Sequence, residues 1–374
     1  MARAGAGGAA VQGEFLPGLH ALRGLAALWV VLFHIFYLLP LAGVVHPLID
    51  VVFRGPLGVD LFFVMSGYII ARRYGGTRSW TPRRYRDFIV RRLARIYPLD
   101  LLMLLCAAGF IALTIRSGDA PPELIELAPP GEFWRHLFLV QAWGRYGHSL
   151  NVPAWSISVE WLLYLLFPLL ALPFVRGGRG FALLCIVLLC GLRIAFIDDH
   201  HPRGLPTPHD WMPLLRGVLS FGCGMALERL LRDGAPAWIA PLGWLAGLAV
   251  IPAAMFLPAD WPAVLLFLPL TAAAALRPLP GCPERLARVA GDLSYPLYIV
   301  HGPVVVGATS LLLEHVPALH TGAGMVVLTP GLLALSLLLA WRAHRRVETP
   351  ARRWIVRRFT GDAGPSLDKA PSAA

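Results

Sequence analysis

Residues 19–34 read LHALRGLAALWVVLFH. Between Arg23 and His34 every residue is apolar or glycine. A run of this kind excludes a half-exposed strand, in which polar and apolar residues would alternate. A segment surrounded by lipid must satisfy its own backbone hydrogen bonds, and a helix does so. Eleven positions at about 100° each make about three turns, so Arg23 and His34 share one face, about 16 Å apart along the axis. Ionisable groups inside such a run are costly unless they face a cavity or one another.

The same texture extends outward along the chain. Of 374 residues, 57% are hydrophobic and 15% charged, whereas a soluble domain carries about 25% charge. That excludes an ordinary soluble enzyme. The apolar residues gather in blocks of about twenty, too long and continuous for barrel strands. They read as an all-α, polytopic transmembrane helical bundle of about ten spans: 20–40, 55–71, 96–115, 155–175, 180–197, 212–230, 237–257, 261–277, 292–313 and 322–341. The pair 237–257 and 261–277 also reads as one broken element. Residues 1–19 form a short leading segment without the cleavage pattern of a signal peptide, so the first run reads as a retained span. Residues 20–341 form the membrane domain, and 342–374 a basic juxtamembrane tail whose Pro/Ala/Gly-rich end is expected to be disordered.

Net charge is +11, and a single lysine, Lys369, accompanies the arginines. Most of these arginines fall in alternate connections, which by the positive-inside tendency places both termini in the cytoplasm. The densest connection, ARRYGGTRSWTPRRYRDFIVRRLARIYPLD, holds nine arginines between residues 72 and 95. Anchoring to anionic membrane lipid explains some of them. Arg92 and Arg95 are three apart on one face of an expected helix, where guanidinium forks suit phosphate oxygens. A phosphorylated cofactor arriving from the cytoplasm fits this band better than nucleic acid, since no folded module carries the charge. The long connection 116–154, with Trp134 and Trp143 and with Trp155 just beyond it, reads as an outer loop offering either sugar platforms or an interfacial aromatic belt. The histidines of DDHHPRGLPTPHD (His200, His201 and His209) are irregularly spaced and read as a solvated loop rather than a metal site. Cys106, Cys185, Cys190, Cys223 and Cys282 show no metal-ligand spacing, so no metal is expected.

Further ionisable groups interrupt the apolar blocks. Asp60 opens GVDLFFVMSGYIIARR and Glu160 lies in VPAWSISVEWLLYLLFP. From the assigned edges, His34, Asp60 and Glu160 fall at one depth, roughly 6–9 Å inside the outer boundary, which suggests a shared polar chamber. Each also admits a plainer role as an interhelical hydrogen-bonding group. Trp155 and Tyr164, in the same segment as Glu160, are further candidates. His301, in GDLSYPLYIVHGPVV, either lines the same chamber or pairs structurally. Arg193 and Arg216 suit an anionic substrate or a buried carboxylate.

Taken in order, LHALRGLAALWVVLFH, GVDLFFVMSGYII, RRLARIYPLD, VPAWSISVEWLLYLLFP and SYPLYIVHGPV resemble the integral-membrane acyltransferase 3 family, the bacterial sugar and polysaccharide O-acyltransferases, over roughly residues 16–350. The closing VETPARRW is similar to the family's Glu-x-Pro ending, here Glu348 and Pro350. The resemblance implies ten core helices in the bacterial inner membrane and acyl-CoA as co-substrate. It also implies an essential Arg/His pair at Arg23 and His34, and a cytoplasmic Arg-x-x-Arg feature at Arg92 and Arg95. Trp161 and Leu162 stand where the family often has an acid and a glutamine, which puts acceptor-side contacts in question. Some members of that family add an SGNH-type domain or an extra span to deliver it; this sequence shows neither and reads as a stand-alone membrane transferase.

On this reading an acyl group, most simply acetyl, passes from acyl-CoA to a hydroxyl of an envelope carbohydrate or glycolipid. His34 acts as general base, Asp60 or Glu160 supports it, and Arg23, Arg92 and Arg95 hold CoA phosphates. Macrolide-like acceptors and succinyl transfer stay open within that class. A proton-coupled transporter or flippase is the reading from a different class, though no inverted repeat appears in the chain.

Overall fold

The computed structural model describes residues 15–38, 47–77, 79–118, 131–144, 149–198, 212–316 and 322–361. Every regular element among them is helical. In chain order the α-helices are α1 (Pro17–Leu38), α2 (Pro47–Phe53), α3 (Leu57–Tyr74), α4 (Pro82–Ser117), α5 (Glu132–Leu137), α6 (Trp155–Arg176), α7 (Arg179–Arg193) and α8 (Met212–Leu231). There follow α9 (Ile239–Phe256), α10 (Trp261–Leu276), α11 (Glu284–His315), α12 (Gly322–Ala343) and α13 (Thr349–Thr360). The histidine-rich connection lies outside the described residues.

Among the described residues, five helical segments are long and apolar enough to cross a membrane: Pro17–Tyr37, Pro82–Ser117, Val152–Arg176, Arg179–Ile197 and Ile239–Phe256. This count replaces the ten crossings expected from the sequence. It also removes the even alternation on which placing both termini in the cytoplasm rested. The difference has a physical basis. Helix α3 carries Asp60, Arg72 and Arg73, α8 carries Arg216, Glu228 and Arg229, and α10 has only 16 residues. Helices α3 and α8 are sheathed by other helices and bury most of their residues. An apolar run counted along the chain does not distinguish a helix facing lipid from one facing protein.

Helices α4, α7 and α9 present the opposite face. Leu113, Val187 and Leu248 are each more than 60% exposed. Side chains of this size lined along helices suit contact with hydrocarbon rather than water. Helices α9 and α10 are separate elements, joined through 257–260. There Arg54 pairs with Asp260 and donates to the carbonyls of Leu257 (2.7 Å) and Pro258 (3.0 Å).

Two elements depart from their expected boundaries. Helix α4 begins at Pro82, not near residue 96. Proline suits the first turn, and the Thr81 hydroxyl caps it by accepting from the Arg84 amide at 3.3 Å. Its 36 residues span about 54 Å, longer than a hydrocarbon core of about 30 Å, so its arginine-rich first third projects beyond the apolar layer. Helix α11 begins at Glu284, where Glu284 and Arg288 form an i,i+4 pair at 3.0 Å.

Close approaches fix the centre of the bundle. A Cβ added at Gly67 would lie 2.1 Å from the Phe221 carbonyl oxygen, and one at Gly224 would lie 2.0 Å from that of Val64. The backbones of α3 and α8 therefore nearly touch, and the two helices run parallel, since Asp60 meets Arg216 near their starts and Gly75 approaches Arg232 just past their ends. Helix α1 meets α11 in the same sense: Gly24 faces Ala290, and one long stretch later His34 faces His301. Phe62 of α3 packs against all three apolar clusters of the core.

Candidate active site

A cavity of about 130 Å³ opens between α1, α3, α4, α6 and α11. Arg23, Arg92 and Arg95 line it, together with Glu160, Ser66, Tyr164, Tyr295 and Tyr298. Its charge comes from the first turns of α1 and the N-terminal half of α4. The i,i+3 spacing of Arg92 and Arg95 turns both toward it, as the sequence spacing anticipates. The Arg92 guanidinium lies 5.8 Å from the ring centres of both Tyr74 and Tyr164, and its buried Nε has no hydrogen-bond partner among the described residues. Arg95 is differently placed. It forms an ion pair with Glu348, which is fully buried where the chain leaves α12, and its guanidinium lies 5.4 Å from the Tyr295 ring centre.

Glu160 sits in this cavity and not beside His34. Its Oε1 accepts from Ser66 Oγ at 2.6 Å and from the Tyr164 hydroxyl at 2.5 Å. Asp60 belongs to a third location. Arg216 holds it through Nε at 2.9 Å and again through Nη2, Arg193 pairs with it at 3.0 Å, and Ser220 Oγ donates to it at 3.2 Å. All four residues are buried. The single chamber of His34, Asp60 and Glu160 is therefore not formed. Packing separates groups that a depth estimate along each helix had put level. It also decides the partner of Arg193 and Arg216, which is a buried carboxylate.

His34 meets His301. The His301 Nε2 lies 3.2 Å from His34 Nδ1, with ring centres 4.9 Å apart. His34 Nδ1 also lies 2.9 Å from the Val30 carbonyl oxygen, and His301 Nδ1 lies 3.1 Å from that of Leu297. Tyr298 connects the two regions: it lines the arginine cavity, and its ring meets that of His301 edge-on at 5.9 Å.

Residues 16–343 match the Acyl_transf_3 acyltransferase domain family. The chain belongs to this family. The acyltransferase is 28% identical to acyltransferase MdmB of Streptomyces mycarofaciens, across 95% of this chain and 97% of that protein. It is 27% identical to the putative membrane-bound transacylase BcsY of Komagataeibacter xylinus, across 88% of this chain and 84% of the relative. Similarity to the peptidoglycan O-acetyltransferase OatA of Listeria monocytogenes is 22% and covers 91% of this chain but 56% of the longer protein. No solved structure matches. The protein is thus a multi-pass bacterial membrane acyltransferase.

Within the acyltransferase several contributors escape a reading of charged residues alone. Ser66 is the lone serine or threonine in its apolar run, and that interruption is its signal. Tyr295, Tyr298 and His301 recur every three positions on one face of α11. The tryptophans divide. Trp134 is exposed on α5, while Trp155 is buried against Phe63 and Arg216 and offers no platform. The segment after α5 is stitched over α6: Gln141 donates to the Ala154 carbonyl at 3.0 Å, and Trp143 Nε1 to that of Ser158 at 2.9 Å.

Proposed function

We propose that this acyltransferase moves a short acyl group, most simply acetyl, from acyl-CoA to a hydroxyl of an envelope carbohydrate or glycolipid, with His34 as general base. The observation that carries the reading is the arginine cavity, whose lining residue Tyr298 meets His301, the partner of His34. Arg23 and Arg92 supply cations suited to CoA phosphates, while Arg95 shares its charge with Glu348. A cavity of about 130 Å³ admits the end of a pantetheine arm with a small acyl group and leaves the nucleotide at the arginine-rich mouth. That mouth faces the cytoplasm by the positive-inside tendency.

In the reaction the acceptor oxygen attacks the thioester carbonyl as His34 removes its proton. The C–S bond then breaks, the ester forms, and the sulfur takes the proton back to leave free CoA. A thioester is already activated, so alignment and proton removal are the main requirements. The carbohydrate acceptor is supported by OatA, whose name gives peptidoglycan as its substrate. The exposed Trp354 and the arginines of α13 suit anionic lipid headgroups beside the site.

The test supplies labelled acetyl-CoA to the protein in native-like membranes with an extract of lipid-linked and surface glycans. Label is expected on a glycan hydroxyl. Arg92→Gln is expected to weaken acetyl-CoA binding about tenfold, corresponding to about 1.4 kcal/mol. A folded wild-type protein that binds no acyl-CoA would overturn the reading.

A further inference from the structure

We infer that His301 is the positioning residue of His34: it fixes the ring so that Nε2 of His34 is the basic atom and Nδ1 of His34 remains a donor throughout the reaction. The inference rests on the reading of His34 as base and names what supports it, in place of Asp60 or Glu160.

The proton assignment follows from what each neighbour can accept. A carbonyl oxygen only accepts, so the Nδ1 of His34 beside the Val30 carbonyl and the Nδ1 of His301 beside the Leu297 carbonyl each carry hydrogen. A neutral imidazole with its proton on Nδ1 has a lone pair on Nε2. His301 Nε2 therefore accepts from His34 Nδ1–H, which is shared with the Val30 carbonyl. The reverse arrangement would set a lone pair of each ring against a carbonyl oxygen. With both hydrogens placed, the one nitrogen left without an assigned partner is Nε2 of His34. The burial agrees, since His301 is fully enclosed whereas His34 is half-buried.

A carboxylate could orient His34 in the same way, and among the described residues none is bonded to it. Asp60 is held by two arginines, and Glu160 by Ser66 and Tyr164. The α1–α11 contact around the pair is apolar, with Val31, Ile35, Leu297 and Val305 all buried. A permanent negative charge there would be costly to bury, whereas a neutral imidazole lone pair orients its neighbour without one. When His34 takes the acceptor proton, its Nδ1–H becomes a charge-assisted donor, and His301 Nε2 and the Val30 carbonyl already face it.

The experiment measures steady-state acyl transfer from acetyl-CoA for His301→Leu, His301→Gln and His301→Asn beside His34→Ala. Leucine removes the acceptor. Glutamine can return an oxygen near the position of Nε2, and asparagine is too short to do so. His301→Leu is expected to lower kcat about a hundredfold with the KM for acetyl-CoA unchanged, and His301→Gln to recover part of that loss. Should His301→Leu not fold, His301→Asn takes its place, with activity expected below that of His301→Gln. Wild-type kcat in His301→Leu would overturn the inference. So would equal losses in folded glutamine and asparagine variants that still bind acetyl-CoA, since a bond that merely ties α1 to α11 predicts that result. Full activity in His34→Ala would instead remove the base reading itself. An inactive His34→Ala beside a fully active His301→Leu would remove only the role of His301.

Discussion

Two buried guanidinium groups, Arg193 and Arg216, converge on the single carboxylate of Asp60. Replacing Asp60 by asparagine keeps the shape and removes the charge, leaving both arginines buried without compensation. Breaking a buried ion pair from one side costs about 3–5 kcal/mol. Asp60→Asn should therefore lower the thermal midpoint in detergent sharply, and Arg193→Met, which leaves the Asp60–Arg216 pair intact, should lower it less. A wild-type midpoint in Asp60→Asn would show that this cluster does not hold the fold. The sequence marks Asp60, His34 and Glu160 alike as charges in apolar runs, and it marks them correctly as exceptional. Their partners are a matter of tertiary distance: Arg216 lies 156 positions from Asp60, and His301 lies 267 from His34. Nothing local encodes which of several long-range pairings forms.

At the scale of elements, α3 and α8 are the pair that hydropathy describes least well. Both read as spans, and both are helices. Their burial by neighbouring helices escapes a hydropathy count because lipid and protein interior favour the same residues. Gly67 and Gly224 are the better clue, because small residues permit the close helix approach seen here. Gly224→Ala inserts a methyl group where a backbone oxygen already stands, and overpacking of that kind costs about 1–3 kcal/mol. It should lower the thermal midpoint, while Gly109→Ala, on the open side of α4 with no atom near its added Cβ, should not. Equal midpoints for the two variants would contradict the close α3–α8 contact. The arginine face of α4 was legible in full, since Arg92 and Arg95 need only a helical period to turn the same way. The first eight residues of α11 were not, because charged side chains in an i,i+4 pair hide a helix from a search for apolar runs.

Across the whole molecule, a cavity lined by Arg23, Arg92 and Arg95 is bounded by Tyr298, whose ring meets that of His301, the partner of His34. Helices α1, α3, α4, α6 and α11 wall this cavity. On the proposed function, a charged donor binds at the surface while only its uncharged arm enters. The central claim is that His34 performs the proton transfer and does not merely help to bind the donor. It is tested most directly in a single turnover with labelled acetyl-CoA and glycan acceptor, comparing wild type with His34→Ala at saturating donor. The prediction is that both proteins retain acetyl-CoA with similar affinity, and that label reaches the glycan in the wild type but falls by at least about a hundredfold in the variant. Transfer at the wild-type rate by His34→Ala would contradict the account.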